Sequence, residues 1–261
     1  MHESHVLLQL LIAGLFGALI GSFLNVCIYR LPRQESIAWP GSHCPACSYA
    51  IAWYDNIPIV SYLILAGRCR HCGARIPFQY PVVEALNGLG YVGILWVFGP
   101  SWEAMVYGVL YSLLLVVAGT DISHKIIPNV ITFPGIVIGL ISAATILPLG
   151  LVNGLLGLLV GGGILWLLAW ASPYLFGKEG MGGGDIKLLA MIGAFLGWKP
   201  AVMTIMVGSF LGSLVGLTLI ASKVIKREDY IPFGPFLVCG ALVALFFGQS
   251  ILDWYQGLLA G

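Results

Sequence analysis

The sequence predicts an all-α polytopic membrane protein, with about eight transmembrane helices and one cytoplasmic zinc-binding loop domain. Three observations predict it. Hydrophobic residues make up 59% of the 261-residue chain and charged residues only 9%, with a mean hydropathy of +0.96. A soluble domain carries about 25% charged residues. Apolar runs recur along the chain, and a span needs about 20 such residues. The one sizeable polar stretch, 29–81, holds two C-x-x-C pairs.

The first apolar run, Val6 to Ile28, is too long for a signal-peptide core. It lacks a basic leader segment and a small-residue cleavage site. Residues 1–28 are therefore read as the first transmembrane helix. Residues 29–81 form the cytoplasmic four-Cys loop domain, and 82–261 the remaining membrane core. Within that core the runs lie at 82–98, 103–120, 130–147, 152–174, 186–198, 200–222 and 233–252. The run 186–198 is short, which predicts a tilted or partly buried helix. Lys199-Pro200 marks the start of the next, because proline is tolerated at a helix start. The segments GLLGLLVGGG (154–163) and GSFLGSLVG (208–216) predict small-residue surfaces for close helix packing. No strand–turn–helix context supports a nucleotide loop, and no internal repeat stands out.

Lysine and arginine set the orientation, since cytoplasmic loops are enriched in them. With the N-terminus outside, Arg30, Arg33, Arg68, Arg70, Arg75, Lys125, Lys178, Lys187, Lys223, Lys226 and Arg227 fall on the cytoplasmic side. Only Lys199 falls outside. The net charge of +1 makes no electrostatic case for nucleic acid. Membrane lipid is the expected surrounding.

The pairs CPAC (Cys44, Cys47) and CRHC (Cys69, Cys72) have the spacing of a structural zinc site. Two disulfides are the alternative, but the topology puts this loop in a reducing compartment. Four thiolates leave no open position, so the metal is expected to be structural. It would supply folding energy that a small loop cannot get from its own core. His43 and His71 are then neighbours of the site or surface groups. Cys27 and Cys239 lie in spans and read as small hydrophobes.

Asp55, Asp229 and Asp253 fall in polar surroundings. Asp121 and Asp185 do not. Asp121 ends the third span in GTDISHKIIPN, and Asp185 follows three glycines at the mouth of the sixth. Each has an ordinary explanation: Asp185 as a helix N-cap, Asp121 as an interfacial charge paired with Lys125. Together, two acids at the same depth predict a dyad, because ionisable groups at membrane depth are costly and usually functional. Two adjacent carboxylates cannot both ionise freely. One then serves as general base on a water while the protonated one polarises a carbonyl. The glycines Gly182 to Gly184 let an extended substrate backbone approach without a Cβ in the way.

These stretches together resemble the type IV prepilin peptidases, the leader peptidase/N-methyltransferases of type IV pilins and type II secretion pseudopilins. The resemblance is carried by GSFLNVCIYRLP (21–32), SHCPAC (42–47), WYDNIPIVSYL (53–63), GRCRHC (67–72), YPVVE (80–84), DISHKIIPN (121–129), KEGMGGGDIKLL (178–189) and IPFGPFL (231–237). It covers nearly the whole chain. It implies removal of a basic leader after a glycine on the cytoplasmic side of the bacterial inner membrane. Methylation of the new N-terminal amine, usually of phenylalanine, would follow, with S-adenosylmethionine as donor. The family's catalytic aspartates match Asp121 and Asp185. Its cysteine motif, associated with methylation, matches Cys44, Cys47, Cys69 and Cys72. Archaeal preflagellin relatives lack that loop and do not methylate. No soluble methyltransferase fingerprint appears, so the donor site is assigned only to the loop region 29–81.

Further roles are expected for Glu179 and Lys187 beside Asp185, as substrate contacts or as ordinary interfacial charges. Glu84 is expected to meet the pilin's amine or basic leader. Trp39, Trp53, Tyr54, Tyr62 and Tyr80 read as interface anchors. Two other classes compete: a proton channel relaying through Asp121 and Asp185, and a zinc-stabilised assembly factor without catalysis.

Overall fold

The computed structural model describes residues 2–176, 182–226 and 231–260. Lys178, Glu179, Arg227 and Asp229 lie outside the described residues. Among the described residues the regular structure is helical, with two isolated β-bridges in the loop. Each apolar run is a helix: α1 (His2–Arg30), α3 (Gln79–Phe98), α4 (Trp102–His124), α5 (Asn129–Thr145), α6 (Gly150–Phe176), α7 (Gly183–Leu196), α8 (Trp198–Ala221) and α9 (Gly234–Ala260). The short α2 (Val60–Ile64) belongs to the polar loop.

Among the described residues six helices are long and apolar enough to cross a membrane: α1, α3, α4, α6, α8 and α9. The protein is thus a multi-pass membrane protein. The expected eight spans are not all supported by length. Helix α5 has 17 residues and α7 only 14. At 1.5 Å per residue, α7 is about 21 Å long, short of a hydrocarbon core of about 30 Å.

The chain divides into two compact units, Met1–Val116 and Val117–Gly261. In the first, α1 lies along α3. The contact is close because a Cβ at Gly21 would sit 2.7 Å from the Glu84 Cα. Small residues permit such approach between membrane helices. Asn87 then reaches across to donate to the Gly17 carbonyl at 2.7 Å.

In the second unit, α7 is the centre, with α5, α6, α8 and α9 against it. Its residues Leu188, Leu189, Met191, Ile192, Ala194 and Phe195 are fully buried. A helix apolar on every side belongs inside a bundle. The run 186–198, expected to be a tilted or partly buried helix, is thus largely enclosed by protein. The α6–α7 crossing is tight: Gly157 and Gly193 face each other so closely that either Cβ would strike the other backbone.

Candidate active site and metal centre

In the second unit, the two aspartates sit at helix ends. Helix α4 runs past Asp121 to His124, so the carboxylate hangs from a continuous helix, 3% exposed. Its Oδ2 accepts the Gly234 N–H at 3.0 Å. Gly234 opens α9, and the first N–H groups of a helix have no partner within it. The positive end of the α9 dipole also favours an anion there. The residue must be glycine, because a Cβ would lie 2.5 Å from that same oxygen.

Asp185 is 4% exposed and lies in the first turn of α7. It is not the N-cap, which corrects that alternative. Gly182 holds the cap position, and the Asp185 N–H donates to the Gly182 carbonyl at 3.1 Å. Asp121 lies close enough to Asp185 for the two charges to interact. Ile127 packs between the first turns of α7 and α9. A Cβ at Gly184 would come within 2.9 Å of Ile127, and one at Gly234 within 3.3 Å. Helices α5 and α7 are tied nearby by Lys187 Nζ, which donates to Asn129 Oδ1 at 2.6 Å.

The geometry therefore brings Asp121 and Asp185 together and adds partners the sequence reading missed. Gly234, Ile127 and Asn129 lie in quoted motifs but had no assigned role. Only the glycine at the start of a predicted helix, after Ile231-Pro232-Phe233, signalled a special backbone position. Lys187 is engaged with Asn129. The two carboxylates are both buried, Asp121 in the last turn of α4 and Asp185 in the first turn of α7, and adjacent carboxylates cannot both ionise freely. Such a pair can hold one group ionised as a base on water and the other protonated as a donor.

The metal-ligand candidates lie in the first unit. The sulfurs of Cys44, Cys47, Cys69 and Cys72 all lie within 4.8 Å of one another, and Cys44 Sγ is 3.8 Å from Cys72 Sγ. A tetrahedral ion with Zn–S of about 2.3 Å has sulfur edges of about 3.8 Å. Every described cysteine is a free thiol. The quartet fits zinc, by distance and by its all-thiolate chemistry.

The local backbone explains the cluster. The Cys44 N–H donates to the Tyr49 carbonyl at 2.9 Å, and the Cys69 N–H to the Ala74 carbonyl at 2.8 Å. Ser48 N–H returns to the Cys44 carbonyl, and Gly73 N–H to the Cys69 carbonyl. Ser48 (φ 56°) and Gly73 (φ 71°) take the same left-handed conformation. The bridges His43–Ala50 and Arg68–Arg75 close both turns. The loop thus contains a repeated knuckle that the sequence reading did not detect. Its turn residues differ, Ser against Gly, and the aligned identities are the two cysteines and Ile51 with Ile76, whose N–H groups donate to the Ser42 and Gly67 carbonyls. The Cys69 thiol is pulled down to about 7, first by the N–H of Cys72 and then by that of His71, so its thiolate is favoured. The histidines stand aside. His71 stacks on Tyr49 with centroids 4.6 Å apart, and His43 contacts the Gly41 carbonyl.

Glu84 is buried on α3, where its Oε2 accepts the Ile59 N–H at 2.7 Å. Of the expected anchors, Trp39 and Trp53 are each 79% exposed, whereas Tyr62 and Tyr80 are half-buried.

Comparison with known proteins agrees with this geometry. The model of the Bacterial Peptidase A24 N-terminal domain matches residues 15–98. That of the type IV leader peptidase family matches 108–217, which includes both aspartates. The prepilin leader peptidase/N-methyltransferase of Xanthomonas campestris pv. campestris is 37% identical, over 93% of this chain and 92% of its own. That of Pseudomonas aeruginosa is 36% identical over 97% and 95%. That of Aeromonas hydrophila is 36% identical over 92% and 91%. No solved structure gives a significant match. With the cysteine quartet inside the first match and the paired aspartates inside the second, this chain belongs to the type IV leader peptidase family.

Proposed function

We propose that this protein is a membrane aspartic endopeptidase and N-methyltransferase. It removes the leader from type IV prepilins or pseudopilins and methylates the freed amine with S-adenosylmethionine. The observation that carries the peptidase reading is the placement of two buried carboxylates, Asp121 held by the Gly234 N–H and Asp185 beside Gly184, with Ile127 packed against both glycines. The ionised carboxylate takes a proton from a water, and the resulting hydroxide adds to the scissile carbonyl carbon. The protonated carboxyl donates to the carbonyl oxygen. The adduct collapses as a proton passes to the leaving nitrogen. Gly182 leaves open backbone beside Asp185, where a Cβ would lie 3.4 Å from Oδ2. An extended substrate strand can lie there.

Loop 29–81 carries a structural zinc on Cys44, Cys47, Cys69 and Cys72 and serves the methyl transfer, while 82–261 forms the peptidase core. Bound by these four thiolates, a zinc ion would join the two knuckles and supply folding free energy, with no position left for substrate. The site and loop face the cytoplasm across the bacterial inner membrane, as the distribution of Lys and Arg supports.

The test is intact-mass analysis of a prepilin incubated with purified protein, with and without S-adenosylmethionine. Loss of the leader plus one methyl group is expected for the wild type. No loss of the leader is expected for Asp121→Ala or Asp185→Ala. Cleavage that persists in both variants would remove the dyad from the mechanism.

A further inference from the structure

The seam between α1 and α3 contains a buried carboxyl, Glu84, with no cation paired to it among the described residues. Ser22 and Asn25 on α1 face Tyr80 and Glu84 on α3. Asn25 Nδ2 donates to the Tyr80 carbonyl at 3.0 Å, and Ser22 hydrogen-bonds the Glu84 side chain. Glu84 is 6% exposed and Asn25 2%. Among the described residues Glu84 makes no ion pair.

The nearby cations are already committed. Arg30 and Arg33 are the bases felt at Tyr80, which also senses Glu84 and Tyr29. The Arg30 guanidinium is buried and donates to the carbonyls of Ser36 at 2.9 Å and Gly41 at 3.2 Å. Arg33 donates to the Tyr29 carbonyl and lies 4.0 Å over that ring.

A second observation comes from the facing helix. Asn25 Oδ1 is buried and has no hydrogen-bond partner. Buried polar atoms are almost always paired, and each orphan calls for an explanation. The backbone adds a third. Ile59, a β-branched residue, is held at φ 63°, in the left-handed region, and this places its N–H on Glu84. Such strain persists only where surrounding structure enforces it, and it gathers at functional sites. The seam therefore offers acceptors in excess: the remaining lone pairs of the Glu84 carboxylate and the Asn25 carbonyl.

From this we infer that Asn25 and Glu84 form the binding site for the primary ammonium of the methyl acceptor, the new N-terminus of the processed pilin. A primary ammonium brings three donors and one positive charge, matching the unmet acceptors. A calcium-like ion wants six to eight oxygens, more than the seam supplies. The proposal rests on the methyl-transfer reading and deepens it. Glu84 takes a proton from the acceptor ammonium, leaving a neutral amine. The nitrogen lone pair then forms the N–CH3 bond while the donor's sulfur keeps the electron pair of the broken S–CH3 bond.

The experiment measures binding of a short peptide beginning with Phe to the purified full-length protein. The free-amine peptide is compared with its N-acetylated form. The wild type is expected to prefer the free amine by at least about 10-fold, as for a hydrogen bond to a charged group. Glu84→Gln, which keeps an acceptor for Ile59, should abolish the preference. Asn25→Leu should do so from the other helix, which covers the case of a Glu84→Gln protein that fails to fold. No preference in the wild type, or a preference retained in both variants, overturns the proposal. Methyl transfer by Glu84→Gln should be lost at neutral pH and recover above pH about 8, where an α-amine is itself deprotonated. A deficit that stays constant with pH marks a merely structural residue and also overturns it. A wild type that shows the preference yet never transfers a methyl group keeps the ammonium site and removes the methyltransferase reading.

Discussion

At the scale of single residues, the carboxylates depend on the backbone around them. Asp121 is held by one N–H, that of Gly234. Asp121→Asn and Asp185→Asn preserve shape and each remove one ionisable group of the proposed dyad. Each should lower the cleavage rate by about 10²–10⁴-fold, the worth of a general acid or base. Thermal unfolding should stay close to wild type. Gly234→Ala leaves both acids in place but pushes a Cβ at the Asp121 oxygen. It should cost about 10²-fold in cleavage, because a misplacement of 1 Å at a reacting group costs that much. Single-turnover cleavage assays read both effects. The acids were legible in the sequence because so few charges occupy the spans. Gly234 was not, since its role depends on Asp121, 113 residues away.

At the scale of elements, α6 provides a matched pair. Gly157 meets the Gly193 backbone, whereas Gly163 on the same helix has open space. Gly157→Ala should destabilise the protein by about 1–3 kcal/mol, the usual cost of overpacking. Gly163→Ala should be neutral or stabilising by up to about 1 kcal/mol, from helix propensity alone. Denaturant unfolding in detergent tests both. The glycine-rich stretch announced close packing, but which glycines are needed follows from the face that meets α7. The loop offers a pH test. Asp55 accepts three hydrogen bonds from the Arg70 guanidinium, at 3.1, 2.8 and 2.6 Å, and this holds its carboxyl below the usual value. A lowered acid stabilises the fold above its ordinary value and loses that contribution as pH falls through the lowered one. Asp55→Asn should therefore be more readily proteolysed in the loop than wild type at neutral pH. The difference should vanish in acid, as limited proteolysis across pH would show.

At the scale of the whole molecule, the two units carry different chemistry. Residues 1–116 hold the cysteine quartet and Glu84, and 117–261 hold the paired aspartates. Removal of zinc with a chelator, or Cys72→Ser, should reduce methyl transfer far more than leader cleavage. Metal analysis should find about one zinc per chain, from the four-thiolate stoichiometry. Equal loss of both activities would mean that the metal supports the entire fold. Span count also belongs to this scale. Helix α7 reads as a membrane segment by hydropathy, yet it is a buried 14-residue core element. An apolar run records only that a segment avoids water, and both lipid and protein interior satisfy it.

The sequence by itself determined the class of molecule, the eight helical runs, the thiolate quartet and the two acids. These are local quantities, readable from composition, run length and short spacings. Tertiary structure decided which helix is enclosed, that Gly234 grips Asp121, that the two knuckles converge, and that Glu84 lies buried with no ion pair among the described residues. Those facts arise where segments distant in sequence meet. There, steric fit at glycines and the need to pair every buried polar group select the partners, and neither quantity is written in the order of residues along one segment.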